Sequence, residues 1–184
     1  MKIRSSIKNM TMAAVCVALC VVLHIAFHSI PDAGTVFLPM HIPVLICGMI
    51  CGWPYGFICG LMGPLVSSAL TGMPPIAFLP AMMVECGVYG LTSGLMLKFV
   101  HTKNTYADLY IALVTAMLAG RVVSGIAKAL IFTPGLAMSA WITASFVTAL
   151  PGILIQLVFL PSVVFTLMKA RVIPQRYVKG ELIA

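Results

Sequence analysis

Three ionisable residues lie inside long apolar stretches of the sequence: Glu85, Arg121 and Lys128. Arg121 and Lys128 are seven residues apart, so they share nearly one face of a helix. If the stretches cross a membrane, each charge costs about 2.5 kcal/mol or more at that depth, and its side chain should face the interior of a helix bundle. Counted at about 1.5 Å per residue, the depth of Glu85 is close to that of Arg121. We therefore predict a Glu85–Arg121 ion pair, which either only joins two helices or borders a ligand cavity.

Lys128 lies nearer the end of its stretch, and no second acid lies within the apolar stretches. Two interpretations follow for this side chain. Either it extends to the lipid headgroups, or it points inward and offers a cation to a ligand carboxylate or phosphate. We count Lys128, Arg121 and Glu85 as candidate substrate-binding residues.

Histidine and methionine side chains collect around two proline-rich breaks in the apolar pattern. His24 and His28 are one helical turn apart, two prolines flank Met40 and His41, and two prolines follow Met73. Irregular backbone at membrane depth is tolerated where it lines a cavity. Hydrogen bonding at the membrane interface is the preferred interpretation of the histidines, with ligand contact or a transition-metal site as alternatives. His28, His41, Met40 and Met73 complete the candidate substrate-binding set, and we assign no catalytic residue, metal or cofactor.

The composition decides what kind of protein carries these residues. Of the 184 residues, 61% are hydrophobic and 8% are charged, against about 45–50% and about 25% in ordinary globular domains. So few charges cannot cover a water-soluble surface. This excludes a soluble enzyme, a disordered chain and a nucleic-acid-binding protein, despite a net charge of +7. A spanning helix needs about 20 apolar residues, so the chain has room for about six spans.

The apolar runs predict an all-α fold: a single domain, 1–184, that is a bundle of six transmembrane helices with both termini in the cytoplasm. Basic residues are enriched in cytoplasmic segments, and nine of the eleven lie before the first span, beside the loop between spans four and five, or after the sixth. Those three segments share one side of the membrane in a six-span chain. The predicted spans are 10–27, 37–51, 55–70, 76–99, 108–132 and 141–168, the last interrupted by Pro151 and Pro161.

Small residues at helical spacing predict close contacts between helices. Ala14 and Ala18 are four residues apart in the first span, and three glycine pairs have the same spacing: Gly48/Gly52, Gly56/Gly60 and Gly90/Gly94. Such residues let helix backbones approach each other in membranes. All six cysteines lie in apolar runs, where we interpret them as small packing residues rather than metal ligands.

The quoted motifs resemble the substrate-binding S components of energy-coupling factor (ECF) vitamin transporters. Leu38-Pro-Met-His-Ile-Pro-Val-Leu followed by Gly-Trp-Pro-Tyr-Gly is similar to the second span and turn of that family, and Gly60-Leu-Met-Gly-Pro-Leu to its third span. Leu70-Thr-Gly-Met-Pro-Pro is similar to the outer loop that follows. The pair Ala14 and Ala18 resembles the motif by which S components dock on their energising subunit. The resemblance covers about residues 9–170.

The resemblance implies a function and partners. It implies a subunit in a bacterial cytoplasmic membrane that captures a vitamin or related micronutrient at the outer face, without being an enzyme. It would assemble with a transmembrane coupling subunit and two cytoplasmic ATPases. This chain has no GxxxxGK[ST] motif, so it is not itself the ATPase. A net positive pocket favours an anionic substrate such as pantothenate, while folate-like, cobalamin-like and queuosine-precursor ligands stay open. The alternatives are a small channel or scaffold subunit and, behind these, an intramembrane enzyme, for which HExxH is absent.

Overall fold

Helices dominate the structure, a computed structural model that describes residues 2–27, 36–132, 138–170, 177–178 and 181–182. Two π-helical segments, Lys128–Phe132 and Thr143–Thr148, follow the fifth and sixth helices. Beyond the helices, strands β1 (Tyr177–Val178) and β2 (Glu181–Leu182) pair antiparallel, a small departure from the predicted all-α fold. The helices are α1 (Lys2–Phe27), α2 (His41–Cys51), α3 (Trp53–Thr71), α4 (Leu79–Phe99), α5 (Thr105–Ala127), α6 (Met138–Ile142) and α7 (Leu150–Lys169).

A helix lies in each of the six predicted spans, although the helices differ in how well they suit a membrane. Three segments among the described residues are long and apolar enough to cross one: Ser6–Phe27, Thr105–Ile131 and Leu150–Lys169. The apolar helix α2 is shorter, at 11 residues. The prediction of a helical membrane protein is confirmed, and the count of six spans with cytoplasmic termini stays a prediction.

Glycine and proline set several helix ends. Gly52 separates α2 from α3 with φ +89°, and Gly72 ends α3 with φ +73°, which are conformations that favour glycine. The predicted sixth span is divided, because α6 and its π-helical continuation stop before Ala149 and α7 begins at Leu150. Pro151 lies in the first turn of α7, where its missing N–H costs nothing, whereas Pro161 lies inside α7 without ending it.

Glycines hold α2, α3 and α4 at very short separations. A Cβ atom added to Gly56 would overlap the carbonyl oxygen of Gly90, and one added to Gly60 would overlap the backbone of Cys86. A Cβ atom at Gly94 would overlap the backbone of Trp53. The predicted close helix contacts are therefore confirmed for these glycines. Gly52, which was predicted to make such a contact, lies in the turn between α2 and α3.

The six cysteines are buried as free thiols in the same core. They pack with Val44, Leu45, Tyr89 and Leu113 where α1, α2, α3, α4 and α5 meet. The interpretation of cysteine as a packing residue agrees with this placement. The core thus fixes α4 against α2 and α3, and α4 in turn carries Glu85.

Candidate functional site

Glu85 is the centre of a polar cluster within the helix bundle. His41 Nε2 lies 3.6 Å from its Oε1, and Lys128 Nζ lies 3.6 Å from its Oε2. The Tyr89 hydroxyl donates to Oε1 at 3.3 Å, and the Ser124 hydroxyl donates to Oε2 at 3.0 Å. One carboxylate therefore joins α2, α4, α5 and the π-helical segment after α5.

Helix geometry explains how the cluster assembles. Tyr89 is one turn after Glu85 on α4, and Lys128 is one turn after Ser124, so each pair shares a helix face. Gly120 brings α5 against α4, because a Cβ atom there would overlap the ring of Tyr89. His41, the first residue of α2, is buried with its ring centroid 5.1 Å from that of Tyr89.

Lys128 has an acid partner, which corrects one sequence-based expectation. The sequence offered a choice between a snorkelling side chain and a cation for a ligand, on the premise that no acid was left to pair with it. In the structure the ammonium group faces Glu85, and 31% of the Lys128 side chain is exposed. The π-helical geometry that begins at Lys128 is common at functional sites.

Arg121 is not the partner of Glu85, so the predicted Glu85–Arg121 pair is wrong. The ion pairs of Glu85 among the described residues are those with His41 and Lys128. Arg121 is only 3% exposed, and its Nε and Nη2 atoms are buried without a hydrogen-bond partner in the described part of the chain. Its Cζ atom lies 5.6 Å from the ring centroid of Phe146, within range of a cation–π interaction.

Two aromatic side chains, Trp141 of α6 and Phe146 of the π-helical segment after it, lie on the Arg121 side of α5. Trp141 packs edge-on against Phe146 with ring centroids 5.9 Å apart. The indole also lies directly on Gly125, four residues after Arg121, where a Cβ atom would overlap it. Trp141 Nε1 is a buried donor with no acceptor among the described residues. Arg121 and Trp141, which both contact Phe146, therefore each have a buried N–H without an acceptor among the described residues.

Of the remaining candidate residues, Met40 lies next to His41 in the polar cluster, and Met73 makes its contacts elsewhere. Met40 is buried beside His41, and its carbonyl oxygen accepts from the Cys20 thiol at 3.6 Å. Met73 contacts its own turn, where its carbonyl oxygen accepts from the Ser67 hydroxyl at 2.9 Å. His28 lies outside the described residues. The structure thus brings together His41, Met40, Glu85 and Lys128, and it shows no link from Met73 to them.

Sequence reasoning missed several polar and aromatic residues here. Gln156 on α7 is fully buried, with its Nε2 donating to the carbonyl oxygen of Leu38 at 3.3 Å. Its signal was available, since Gln156 is the one amide side chain inside a predicted span. Tyr89, Ser124 and Phe146 carried no such signal, because serine and aromatic residues are ordinary in membrane helices.

Ala14 and Ala18 lie on the outward face of α1. Both are exposed, as are the neighbouring Val15 and Leu19. The opposite face of the helix is buried, with Cys20 close against Gly63 of α3. A second helix could therefore approach the two alanines closely without displacing part of this bundle.

Comparison with protein families identifies the group. The family model described as "ECF transporter, substrate-specific component" matches residues 8–172. The chain belongs to this family. The predicted S component is thereby confirmed, and with it a transmembrane transport protein that binds a substrate. Searches of curated proteins and of solved structures gave no match.

The geometry suits binding by an S component of this family. The charged groups described at the site are one carboxylate, one ammonium and one guanidinium, together with an imidazole. The carboxylate accepts hydrogen bonds from Tyr89 and Ser124 and has Lys128 and His41 at 3.6 Å, whereas Arg121 and Trp141 have N–H groups without an acceptor among the described residues. Donors that lack acceptors in a buried region are the pattern expected of a site that receives an anion.

Proposed function

We propose that this S component captures a small anionic molecule from the outer side of the bacterial cytoplasmic membrane, with Arg121 binding the anionic group. Pantothenate is the preferred candidate. The observation that carries the proposal is the buried Arg121 guanidinium, whose Nε and Nη2 lack partners among the described residues. A buried charge without a hydrogen-bonded partner costs several kcal/mol. A substrate carboxylate or phosphate would remove that cost.

The ion pair between Glu85 and Lys128 supports the proposal. Because Lys128 and His41 lie 3.6 Å from the carboxylate oxygens, the acid does not compete for Arg121. The excess positive charge of the site is therefore located at Arg121. From the sequence, Arg121 was the expected partner of Glu85, and Lys128 was either a snorkelling side chain or a cation for the substrate.

The neighbours of Arg121 support an organic substrate. Phe146 lies against the guanidinium, and Trp141, which packs on Phe146, has a buried indole N–H without an acceptor among the described residues. Guanidinium groups bind carboxylates and phosphates through paired hydrogen bonds. Flanking aromatic rings would cover the apolar part of such a ligand.

We further infer that the protein works with a transmembrane coupling subunit and two cytoplasmic ATPases. The exposed face of α1 that carries Ala14 and Ala18 is the surface available for a close helix contact. ATP hydrolysis would then take place on the partners.

Mass spectrometry of small molecules that co-purify with the protein tests the proposal. The parent chain is expected to carry an anionic compound, and Arg121→Met is expected to lose most of it while Arg121→Lys keeps part. Loss of a charge-assisted hydrogen bond costs about 1.5–3 kcal/mol, or about 10- to 150-fold in affinity. Titration with pantothenate gives the same comparison for a defined compound.

Stability provides the control for Arg121. Because Met replaces an unpaired buried charge, ligand-free Arg121→Met should melt at or above the parent temperature. Retention of the compound by Arg121→Met at the parental level would refute the role of Arg121. A parent protein that carries and binds no small molecule would instead favour a channel or scaffold subunit.

A further inference from the structure

Gln156 is a buried amide whose two ends have different surroundings. Gln156 is 0% exposed within α7, and its Nε2 donates to the carbonyl oxygen of Leu38 at 3.3 Å. Only the NH₂ end of an amide can donate to a carbonyl, so this contact fixes the orientation of the side chain. The carbonyl end, Oε1, is buried and accepts from no donor in the described part of the chain.

An acceptor in this state is costly for the folded protein. A buried carbonyl without a hydrogen bond keeps the full penalty of its desolvation. A methionine or leucine side chain at the same position would avoid the penalty and suit the apolar helix. The amide is therefore best explained by a donor that arrives from outside the described residues.

The backbone around Leu38 connects Gln156 to the polar cluster. The Leu38 carbonyl oxygen also accepts from the backbone N–H of His41 at 3.1 Å. Leu38 itself has φ +53°, a left-handed conformation that is uncommon outside glycine, so this carbonyl is aimed by a strained residue. The imidazole of His41, in turn, faces Glu85.

One turn before Gln156, α7 packs tightly on the same segment. A Cβ atom at Gly152 would lie 2.6 Å from the carbonyl oxygen of Val36 and 2.9 Å from the backbone of Phe37. The amide is therefore held by a rigid contact between α7 and the segment that leads into α2. Such support is what a group that discriminates between ligands requires.

We infer that Gln156 is a specificity-determining residue, whose Oε1 accepts a hydrogen bond from a hydroxyl or amide N–H of the substrate. The inference rests on the proposed function and narrows it, since the substrate would carry an uncharged donor in addition to the anion bound by Arg121. Simple carboxylates without a hydroxyl or N–H would leave Oε1 unpaired. A site built around a hydrogen bond rejects analogues that lack the matching group.

Gln156→Met tests the inference, because methionine keeps the length of the side chain and removes the acceptor; it also removes the Nε2 donor, but the Leu38 carbonyl oxygen keeps its bond from the His41 N–H. The matched control is Ile155→Met, at a residue of α7 that is 43% exposed. Two probes are used on the whole protein in detergent: pantothenate, which has hydroxyl and amide donors, and hexanoate, which has none. Binding is read from the shift in melting temperature with probe concentration.

We expect Gln156→Met to weaken pantothenate binding about 2- to 13-fold, as for one neutral hydrogen bond, while Ile155→Met binds as the parent does. Hexanoate binding should be equal in all three proteins. Unchanged pantothenate binding by Gln156→Met would overturn the inference, as would an equal loss for both probes.

The ligand-free melt gives an independent test. If Oε1 has no hydrogen-bond donor until a substrate binds, the Gln156→Met protein should have a melting temperature at or above that of the parent when no probe is present. A clear drop would mark the amide as a structural group and overturn the inference. Failure of the proposed function would appear in the parent protein, which would bind neither probe, whereas failure of the inference appears only in the variant and leaves the parent unchanged.

Discussion

Replacement of Lys128 by methionine should destabilise the protein through Glu85. In the parent, Lys128 Nζ lies 3.6 Å from Glu85 Oε2. At that separation Coulomb's law gives about 5 kcal/mol for an effective dielectric constant of about 20. The attraction must be discounted, because 31% of the Lys128 side chain is exposed and Glu85 keeps the donors Tyr89 and Ser124.

The measured effect should lie between two known limits. Exposed ion pairs contribute about 0.2–1 kcal/mol, and removal of one partner from a buried pair costs about 3–5 kcal/mol. We therefore expect Lys128→Met to lower the free energy of unfolding by about 1–3 kcal/mol. For a chain of this size each kcal/mol changes the melting temperature by about 2–4 °C, so the expected drop is about 2–12 °C.

Thermal melts in detergent, without added ligand, measure the loss of stability in Lys128→Met, and four proteins are needed for the main comparison. These are the parent, Lys128→Met, Glu85→Gln and the double variant, which together form a double-mutant cycle. In the double variant the carboxylate is gone, so most of the stability lost in Lys128→Met should return. Lys128→Arg should melt near the parent, and Lys103→Met, at an exposed lysine, controls for the loss of a positive charge. Additive effects of Lys128→Met and Glu85→Gln would show that the two side chains do not interact, and would refute the assignment.

Two further predictions concern docking and topology. Ala14→Leu or Ala18→Leu should weaken co-purification of the coupling subunit while leaving substrate binding intact, because leucine prevents a close helix approach. Ala69→Leu, at an exposed alanine of α3, should have no effect. Co-purification of both α1 variants at the parental level would contradict the docking role. With the native cysteines replaced, a cysteine at Lys103 should react with an impermeant reagent only after the membrane is opened, and one at Asp32 should react in intact cells; labelling of position 103 from outside would exclude the six-span topology.

The sequence alone determined the class of the protein and much of its segmentation. A composition that is 61% hydrophobic requires a membrane, since no water-soluble surface can be built from it. The gap between the predicted spans 37–51 and 55–70 contains Gly52, where α2 ends, and Pro151 lies at the start of α7, because glycine tolerates φ > 0° and proline lacks an N–H, whereas α7 continues through Pro161. The short motifs around His41 and Gly60 were enough to suggest the family, which the match over residues 8–172 confirmed.

The candidate site was predicted in part, because depth in a membrane can be counted along a helix. The cost of a charge at membrane depth selected Glu85, Arg121 and Lys128 as candidates, and the rise per residue placed Glu85 and Arg121 at similar depth. Depth does not say which way a side chain points around the helix axis. That rotation is set by packing, here by the contact of Gly120 with the ring of Tyr89.

Only the tertiary structure decided which cation Glu85 pairs with and which cation is left over. The pairing depends on the rotation of α5 against α4 and on the change to π-helical geometry at Lys128, and neither follows from spacing. The contact between Gln156 and Leu38 joins residues 118 positions apart, so it exists only once α7 has packed against the segment before α2. Local residue chemistry therefore indicated where several helices begin and end, while long-range packing decided which polar atoms have hydrogen-bond partners among the described residues.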